Sequence, residues 1–302
     1  MSYRDRTVGV VVPAYNEELL IADTLSSIPE YVDRVYVIDD RSEDLTADIV
    51  RDFATTDPRV TCVSHKMNGG VGAAIVTGFK NALDDRIDIV TVMAGDNQMD
   101  PTYLPNLIDP IIDDEAEFTK GNRLISGYWE GMSRWRLSGN FMLNLLTKIA
   151  SGYWHVDDPQ NGYIAISSNN LSKLDLDKLY KGYAFENDMM IKANIAGINL
   201  VSVPIPAKYG REKSKIKYKK FILKTSLFLF ASFIWRVWKK YLTKGHPIGV
   251  LYLVGCFGIL LGILLLIVGK WDILLISIII FISSCFWEMI VSRPSTKKRS
   301  WG

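Results

Sequence analysis

The chain has 302 residues, 48% hydrophobic and 23% charged; the length suits two domains or one large α/β domain with an appendage, and the composition excludes disordered and collagen-like chains. Its 35 lysines and arginines almost balance 33 aspartates and glutamates, for a net charge of +2, which excludes a wholly basic nucleic-acid binder but leaves room for local asymmetry. Cys62, Cys256 and Cys285 are far apart and form no C-x-x-C pair, so neither a disulfide framework nor a zinc site is expected, and a reducing compartment fits.

In chain order, Arg4, Asp5 and Arg6 precede a short strand-like run, a beginning unlike a signal peptide. The β-branched run from Val8 to Val12 predicts a strand closed by Pro13, and Leu20, Ile21, Thr24 and Leu25 give helical spacing within 17–28. Further strands are expected over 34–38, 60–64, 87–93 and 200–203, and helices over 45–53 and 72–83. Strands separated by helices imply right-handed crossovers and a mostly parallel sheet, with ligands beyond the carboxyl ends of its strands.

Four polar clusters fall at such ends. The first is P-A-Y-N-E from Pro13 to Glu17, in which Asn16 or Glu17 can also cap the next helix. D-D-R-S-E-D from Asp39 to Asp44 either accepts hydrogen bonds from a ribose or base edge or caps the following helix. N-G-G-V-G-A-A from Asn68 to Ala74 is glycine-rich like a phosphate loop, but it lacks the G-x-G-x-x-G spacing and follows the third strand rather than the first. In G-D-N-Q-M-D-P from Gly95 to Pro101, Asp96 and Gln98 offer hard oxygen donors two residues apart. They suit a magnesium or manganese ion completed by water and diphosphate, or else form an ordinary acidic turn.

Taken in order, these four clusters resemble a family 2 glycosyltransferase with the GT-A fold, and more closely the dolichyl-phosphate mannose or glucose synthases and their polyprenyl-phosphate relatives, over residues 7–220. The resemblance implies an α/β nucleotide-sugar domain that transfers a hexose with inversion from a UDP- or GDP-linked donor to a polyprenyl or dolichyl phosphate, with Mg²⁺ or Mn²⁺ as cofactor. It places Pro13, Tyr15, Glu17, Asp39, Asp40, Gly95 and Asp96 around the nucleotide, and Asp96 and Gln98 on the metal. Ala94 stands where the D-x-D-x-Q pattern has its first aspartate, which implies a weaker hold on the ion or one more water on it.

The same resemblance extends downstream. G-N-R ending at Arg123 matches a G-S-R element, and either Arg134 or Arg136 matches a basic position before a helix. Asp158 opens D-P-Q-N-G-Y on the acceptor side, and Glu186 ends G-Y-A-F-E, where it and Asp188 either shape the acceptor or sugar pocket or serve a structural role. Arg211, Ser214 and Lys215 lie in R-E-K-S-K, similar to R-x-x-G-x-S-K without its glycine, and are expected on the donor diphosphate or acceptor phosphate. The catalytic set so implied is Asp96, Arg123, Arg136, Asp158 and Arg211. Metal and guanidinium groups would stabilise the departing diphosphate. An attacking lipid phosphate is already ionised, so no histidine base is required of His65, His155 or His246, although His155 stands beside Asp157. A sugar or lipid hydroxyl as acceptor would instead need a carboxylate base, Asp158 or Glu186, and the lost carboxylate at Ala94 leaves an inactive membrane scaffold as a non-enzymatic reading.

Charge is least even over 208–244, with twelve basic residues against Glu212 alone. Its apolar part, 221–244, is too short of uncharged residues to span a membrane and reads as a helix lying in the interface or as an amphipathic helix packed on the soluble domain. Residues 248–268 carry no charge, and 273–291 carry only Glu288, either a buried polar contact or, as its place near the end favours, an interfacial residue. Together they read as a membrane hairpin with basic residues on both outer flanks, which puts the catalytic domain in the cytoplasm. Gly258 and Gly262 form a G-x-x-x-G that suits packing within the hairpin or between protomers of a homo-oligomer, or is incidental. The expected division is therefore a catalytic domain over 1–220, a basic helix over 221–244 and a membrane module over 245–302, whose removal should leave a foldable domain with poorer access to long-chain acceptors.

Overall fold

The computed structural model describes residues 3–124, 134–206 and 218–292, with side chains except at 134–140 and 218–221. Strands β1 (Val8–Ala14), β2 (Arg34–Asp39), β3 (Val60–Ser64), β4 (Ile89–Val92), β5 (Phe118–Asn122), β6 (Ile164–Ser167) and β7 (Leu200–Pro204) form one sheet in the order β3-β2-β1-β4-β6-β5-β7. Only β6 runs antiparallel to its neighbours, β4 and β5; the pairs β1 with β2, β1 with β4, β2 with β3 and β5 with β7 are parallel.

All seven residues of β1 are buried, as its nearly continuous apolar run, four valines interrupted only by Gly9, requires of a strand covered on both faces. On one face, Ile75 and Phe79 of α3 (Val71–Asp84) pack with Leu171 of α6 (Ser168–Leu171) and with Phe185 and Met189 of α7 (Phe185–Ile195). On the other, Ile21 and Leu25 of α1 (Ile21–Ser27), Val50 of α2 (Thr46–Thr56) and Leu104 and Leu107 of α4 (Leu104–Ile112) close the core. Pro13 does not close β1: it sits past the last rung with β4, Val11 opposite Val92, so its missing N–H interrupts no pairing there, and its carbonyl accepts Gly95 N–H. The first helix begins later than its spacing suggested, because 17–20 form a turn in which Glu17 O accepts from both Leu20 and Ile21.

The glycine run at 69–72 is a seam between backbones. Gly72 N–H donates to Lys181 O at 3.0 Å, and a Cβ on Gly72 would fall 2.4 Å from Tyr180 O. Glycine here lets the start of α3 touch the segment that leads into α7, which accounts for the composition without a phosphate ligand.

Beyond the sheet, α5 (Arg134–Ser151) and α8 (Tyr218–Lys240) form a separate layer with α7. Leu229, Phe233 and Val237 of α8 share a core with Ala150, Ile191, Tyr241, Ile248 and Tyr252. Its opposite side turns Leu223, Leu227, Phe230 and Trp238 outward. Two helices follow, α9 (Pro247–Leu265), extended by a 3₁₀ turn to Val268, and α10 (Trp271–Val291). Spanning 22 and 21 residues, they are long and apolar enough to cross a membrane. They pack antiparallel, since a Cβ on Gly258 would lie 2.2 Å from Ser277 Oγ and one on Gly262 2.6 Å from Leu274 Cα. The G-x-x-x-G therefore serves contact within the hairpin. Glu288 corrects the sequence-based placement: it is fully buried among α8, α9 and α10 rather than at a water interface, because an arginine and three neutral donors satisfy its charge.

Candidate active site

The carboxyl ends of β1 and β2 are stitched into one rim. Asn16, held at φ 57°, donates its backbone N–H to Ser42 Oγ at 3.0 Å and accepts Glu43 N–H on Oδ1 at 2.8 Å. Glu17 N–H donates to Thr46 Oγ1 at 2.8 Å, and Asp39 Oδ1 accepts Ser42 N–H at 3.0 Å. Tyr15 projects from this rim, 43% exposed, while Pro13 is buried beneath it. Asp44 accepts Thr46 N–H at 3.0 Å from one residue ahead of Leu45, the N-cap of α2, which itself has no side-chain cap.

Asp40, expected at the nucleotide, is bonded within the protein through both carboxylate oxygens. Its Oδ1 accepts Gly69 N–H at 2.8 Å and faces His65 Nδ1 at 2.7 Å, and its Oδ2 accepts Gly70 N–H at 2.7 Å. Both oxygens are engaged inside the protein, so this carboxylate tethers the loop after β3 to the end of β2. His65 extends the chain to Thr77 Oγ1 at 2.9 Å.

Past β4, Asp96 Oδ1 accepts Gln98 N–H at 3.0 Å and fixes a turn. Gly95 is a backbone joint: its N–H donates to Pro13 O at 3.2 Å and its carbonyl accepts Thr24 Oγ1 at 3.0 Å, which binds this turn to β1 and α1. Among the described residues no three His, Cys, Asp or Glu side chains converge as a metal cage. One carboxylate and one amide oxygen, with Ala94 contributing nothing, still fit a hard divalent ion that keeps its waters and takes phosphate oxygens from a substrate.

The opposite wall is built on β5 and the 158–163 loop. Asp158, 4% exposed and at φ 53°, accepts Arg123 Nε at 2.6 Å and Arg123 backbone N–H at 3.0 Å on Oδ2, and Arg123 Nη2 at 2.9 Å on Oδ1. This fork turns two nitrogens of Arg123 toward Asp158, where the sequence placed them on a diphosphate. Lys120, also on β5 and fully buried, donates to Asn161 O. Burial brings its ammonium down to about 8, against the opposing pull of the Glu186 and Asp158 charges. Glu186 opens α7 in the same region, with Oε1 3.5 Å from where a Cβ on Gly162 would sit and Met99 Cε 3.3 Å from that point. Burial raises its carboxyl, opposed by Lys120, by a backbone N–H and by Arg123.

Three neighbouring residues are held by contacts within the fold. Asp188 accepts Tyr180 N–H at 2.7 Å and pairs with Lys192 at 2.5 Å. His155 Nε2 bonds Leu200 O at 2.8 Å, and burial lowers its pKa, whereas Asp157 turns to Lys148 at 2.7 Å. Arg134 and Arg136 stand in the first turn of α5 with side chains outside the described set, and Arg211, Ser214 and Lys215 lie outside the described residues. Lys120 escaped the sequence reading; its signal was a lysine in the middle of a strand bounded by Phe118 and Gly121.

Residues 9–174 match the model of glycosyl transferase family 2. A UDP-N-acetylglucosamine–dolichyl-phosphate N-acetylglucosaminyltransferase of Methanococcus voltae is 29% identical over 68% of this chain and 87% of its own. An undecaprenyl-phosphate mannosyltransferase of Micrococcus luteus is 30% identical over 66% of this chain and 82% of its own. Among solved structures, glucosyl-3-phosphoglycerate synthase from Mycobacterium tuberculosis, in complex with Mn²⁺, UDP-glucose and phosphoglyceric acid, superposes with a TM-score of 0.55 at 21% identity, covering 77% of this chain and 80% of that one. The shared architecture is the α/β GT-A fold. With a family match that runs from β1 past β6 and takes in Asp39 and Asp96 after their strands and Asp158 in the loop before β6, the chain belongs to glycosyl transferase family 2.

Proposed function

We propose that the chain is an inverting glycosyltransferase that moves a hexose from a UDP- or GDP-linked donor to a polyprenyl or dolichyl phosphate at the cytoplasmic face of a membrane, yielding a lipid phosphosugar. The observation that carries this reading is the joining of a GT-A site, with Asp96 and Gln98 on its rim, to two helices of membrane-spanning length. Relatives named for transfer to dolichyl and undecaprenyl phosphate support the acceptor class. In this reading 1–220 is the catalytic part, 221–244 a basic helix with Leu227, Phe230 and Trp238 toward the interface, and 245–302 the anchor. Basic flanks put both hairpin ends in the cytoplasm.

Tyr15, Glu17 and Asp39 line the place for base and ribose, and Asp40 supports it from behind. Asp96 and Gln98 would hold Mg²⁺ or Mn²⁺, which when bound supplies positive charge to the diphosphate. Arg136 (or Arg134), Arg211, Ser214 and Lys215 are assigned to phosphate oxygens, and Arg123 with Asp158 fixes the acceptor-side loop. An oxygen of the lipid phosphate forms the bond to the anomeric carbon as the nucleoside diphosphate leaves from the opposite face with the bonding pair. That oxygen carries its charge near neutral pH, so positioning replaces general-base catalysis.

A second reading, attack by a hydroxyl of a lipid-linked glycan, has one observation in its favour: burial raises the Glu186 carboxyl beside the 158–163 loop, as suits a base. Radiolabelled transfer from a panel of nucleotide sugars to polyprenyl phosphate, with and without Mg²⁺ or Mn²⁺, decides between them. A metal-stimulated, acid-labile lipid product is expected. Transfer to lipid-linked glycan alone would establish the second reading, and nucleotide binding without transfer would leave a scaffold.

A further inference from the structure

Between the α/β layer and the C-terminal helix pair lies a buried ion pair that the transfer chemistry does not use. Arg236 of α8 and Glu288 of α10 are both 0% exposed. Arg236 sets Nη1 against Glu288 Oε1 and Nη2 3.2 Å from Oε2, while its Nε donates to Ala150 O at 2.7 Å and its Nη2 to Ile149 O at 2.9 Å. The carboxylate further accepts Tyr241 OH at 2.6 Å on Oε1, and Tyr252 OH at 2.8 Å and Trp154 Nε1 at 3.2 Å on Oε2. A Cβ on Gly152 would meet Arg236 Nη1 at 2.5 Å, so even the chain reversal after α5 is shaped around the guanidinium.

Taking both charges out of water is costly, and well-packed apolar residues would serve stability as well or better. What such a pair supplies is register, because only one height and rotation of α10 lets the carboxylate meet all its donors. A slide of one residue moves it about 1.5 Å and turns it about 100°. Arg236 meanwhile grips the last carbonyls of α5, whose first turn holds Arg134 and Arg136, and α8 itself follows the segment with Arg211, Ser214 and Lys215. From Trp271 to Glu288 α10 rises on the order of 25 Å, most of a hydrocarbon core, which leaves the pair at the membrane's near boundary.

We propose that Arg236 and Glu288 form a latch that fixes the height and orientation of the GT-A domain on its membrane hairpin and thereby selects a phosphate presented at the bilayer surface by a long polyprenyl chain. Glu288 is in this sense a positioning residue that determines acceptor specificity. The inference rests on the acceptor class proposed above.

The test uses the full chain in phosphatidylcholine–phosphatidylglycerol vesicles and compares wild type, Glu288→Gln and the apolar pair Arg236→Met with Glu288→Met, which preserves packing if the single variant fails to fold. Each is assayed with a long-chain polyprenyl phosphate in the bilayer and with a short, water-soluble isoprenyl phosphate. Loss of register should lower transfer to the long-chain acceptor roughly tenfold or more and transfer to the short one less than about twofold. In parallel, spin labels placed through unnatural amino acids at exposed Arg51 and Lys270 should give one narrow distance distribution in the wild type and a broad one in both variants. Equal losses on the two acceptors, no loss on either, or unchanged distances would overturn the latch. Were the wild type to glycosylate neither acceptor, the proposed activity would fall, and the distance distributions would still decide the latch.

Discussion

Arg123 grips Asp158 through a two-point fork, Nε to Oδ2 at 2.6 Å and Nη2 to Oδ1 at 2.9 Å, with the Arg123 backbone N–H as a third donor. The carboxylate is buried with its acceptors already engaged, so it orients the 158–163 loop and is poorly placed to take a proton. Arg123→Lys keeps the charge but not the planar fork. It should lower kcat about tenfold and cost about 1 kcal/mol of stability, a modest figure because the guanidinium is 38% exposed. Asp158→Asn should likewise retain roughly a tenth of wild-type turnover in the radiolabel assay. A loss well beyond about 10²-fold would mark Asp158 as a general base instead.

Ala94 makes a prediction of the opposite sign. In the proposed site Asp96 and Gln98 would offer a divalent ion one negative charge, and affinity for such ions rises with the number of carboxylates. Ala94→Asp should therefore lower the half-saturating Mg²⁺ or Mn²⁺ concentration by roughly tenfold in the transfer assay. Asp96→Ala should abolish transfer while leaving membrane insertion, read by carbonate extraction, intact. Near-normal turnover of Asp96→Ala would remove the metal assignment.

How far the sequence reached depends on how local each relationship is. The valines of β1 and the acids that follow β2 and β4 declare themselves by strand period and by position at strand ends, so the parallel sheet and its functional edge were legible. Asp40 was legible as an acid at that edge but not as a tether, because its partners, Gly69 and Gly70, join it only after β3 returns alongside β2. The glycine run resembled a phosphate loop in composition, yet its cause is the close approach of Lys181, more than a hundred residues away. Glu288 was placed at the interface by the ordinary rule for a charge near a helix end; its arginine lies 52 residues earlier, in a helix whose packing no periodicity fixes.

Lys120 yields a pH prediction. Its folded-state ammonium sits near 8, below the ordinary 10.5 of an unfolded lysine, because burial disfavours the charge. Between those values the unfolded chain binds more protons, so this group's contribution to stability rises with pH across about 8 to 10.5 and is least favourable below 8. Lys120→Met removes the titration. The stability of the wild type relative to this variant, from denaturant unfolding at pH 7, 8.5 and 10, should therefore climb through the series, and a flat difference would show that the ammonium is not desolvated in the folded chain.

Removing 245–302 tests how independent the catalytic domain is. By composition alone the tail reads as a detachable anchor, but Ile248 and Tyr252 complete the core that holds α8, and Glu288 neutralises Arg236 inside it. The truncated chain keeps the guanidinium and loses its counter-charge, a defect that typically costs 3–5 kcal/mol, roughly, when one partner of a buried pair is removed. It also uncovers Leu229 and Phe233. The expected result is a markedly lower denaturant midpoint and aggregation of the truncated chain, partly reversed by adding Arg236→Met. That reversal separates the buried charge from the lost apolar cover: if Arg236→Met leaves the truncated chain no more stable, the apolar contacts of α9 with α8 carry the dependence and the ion pair does not.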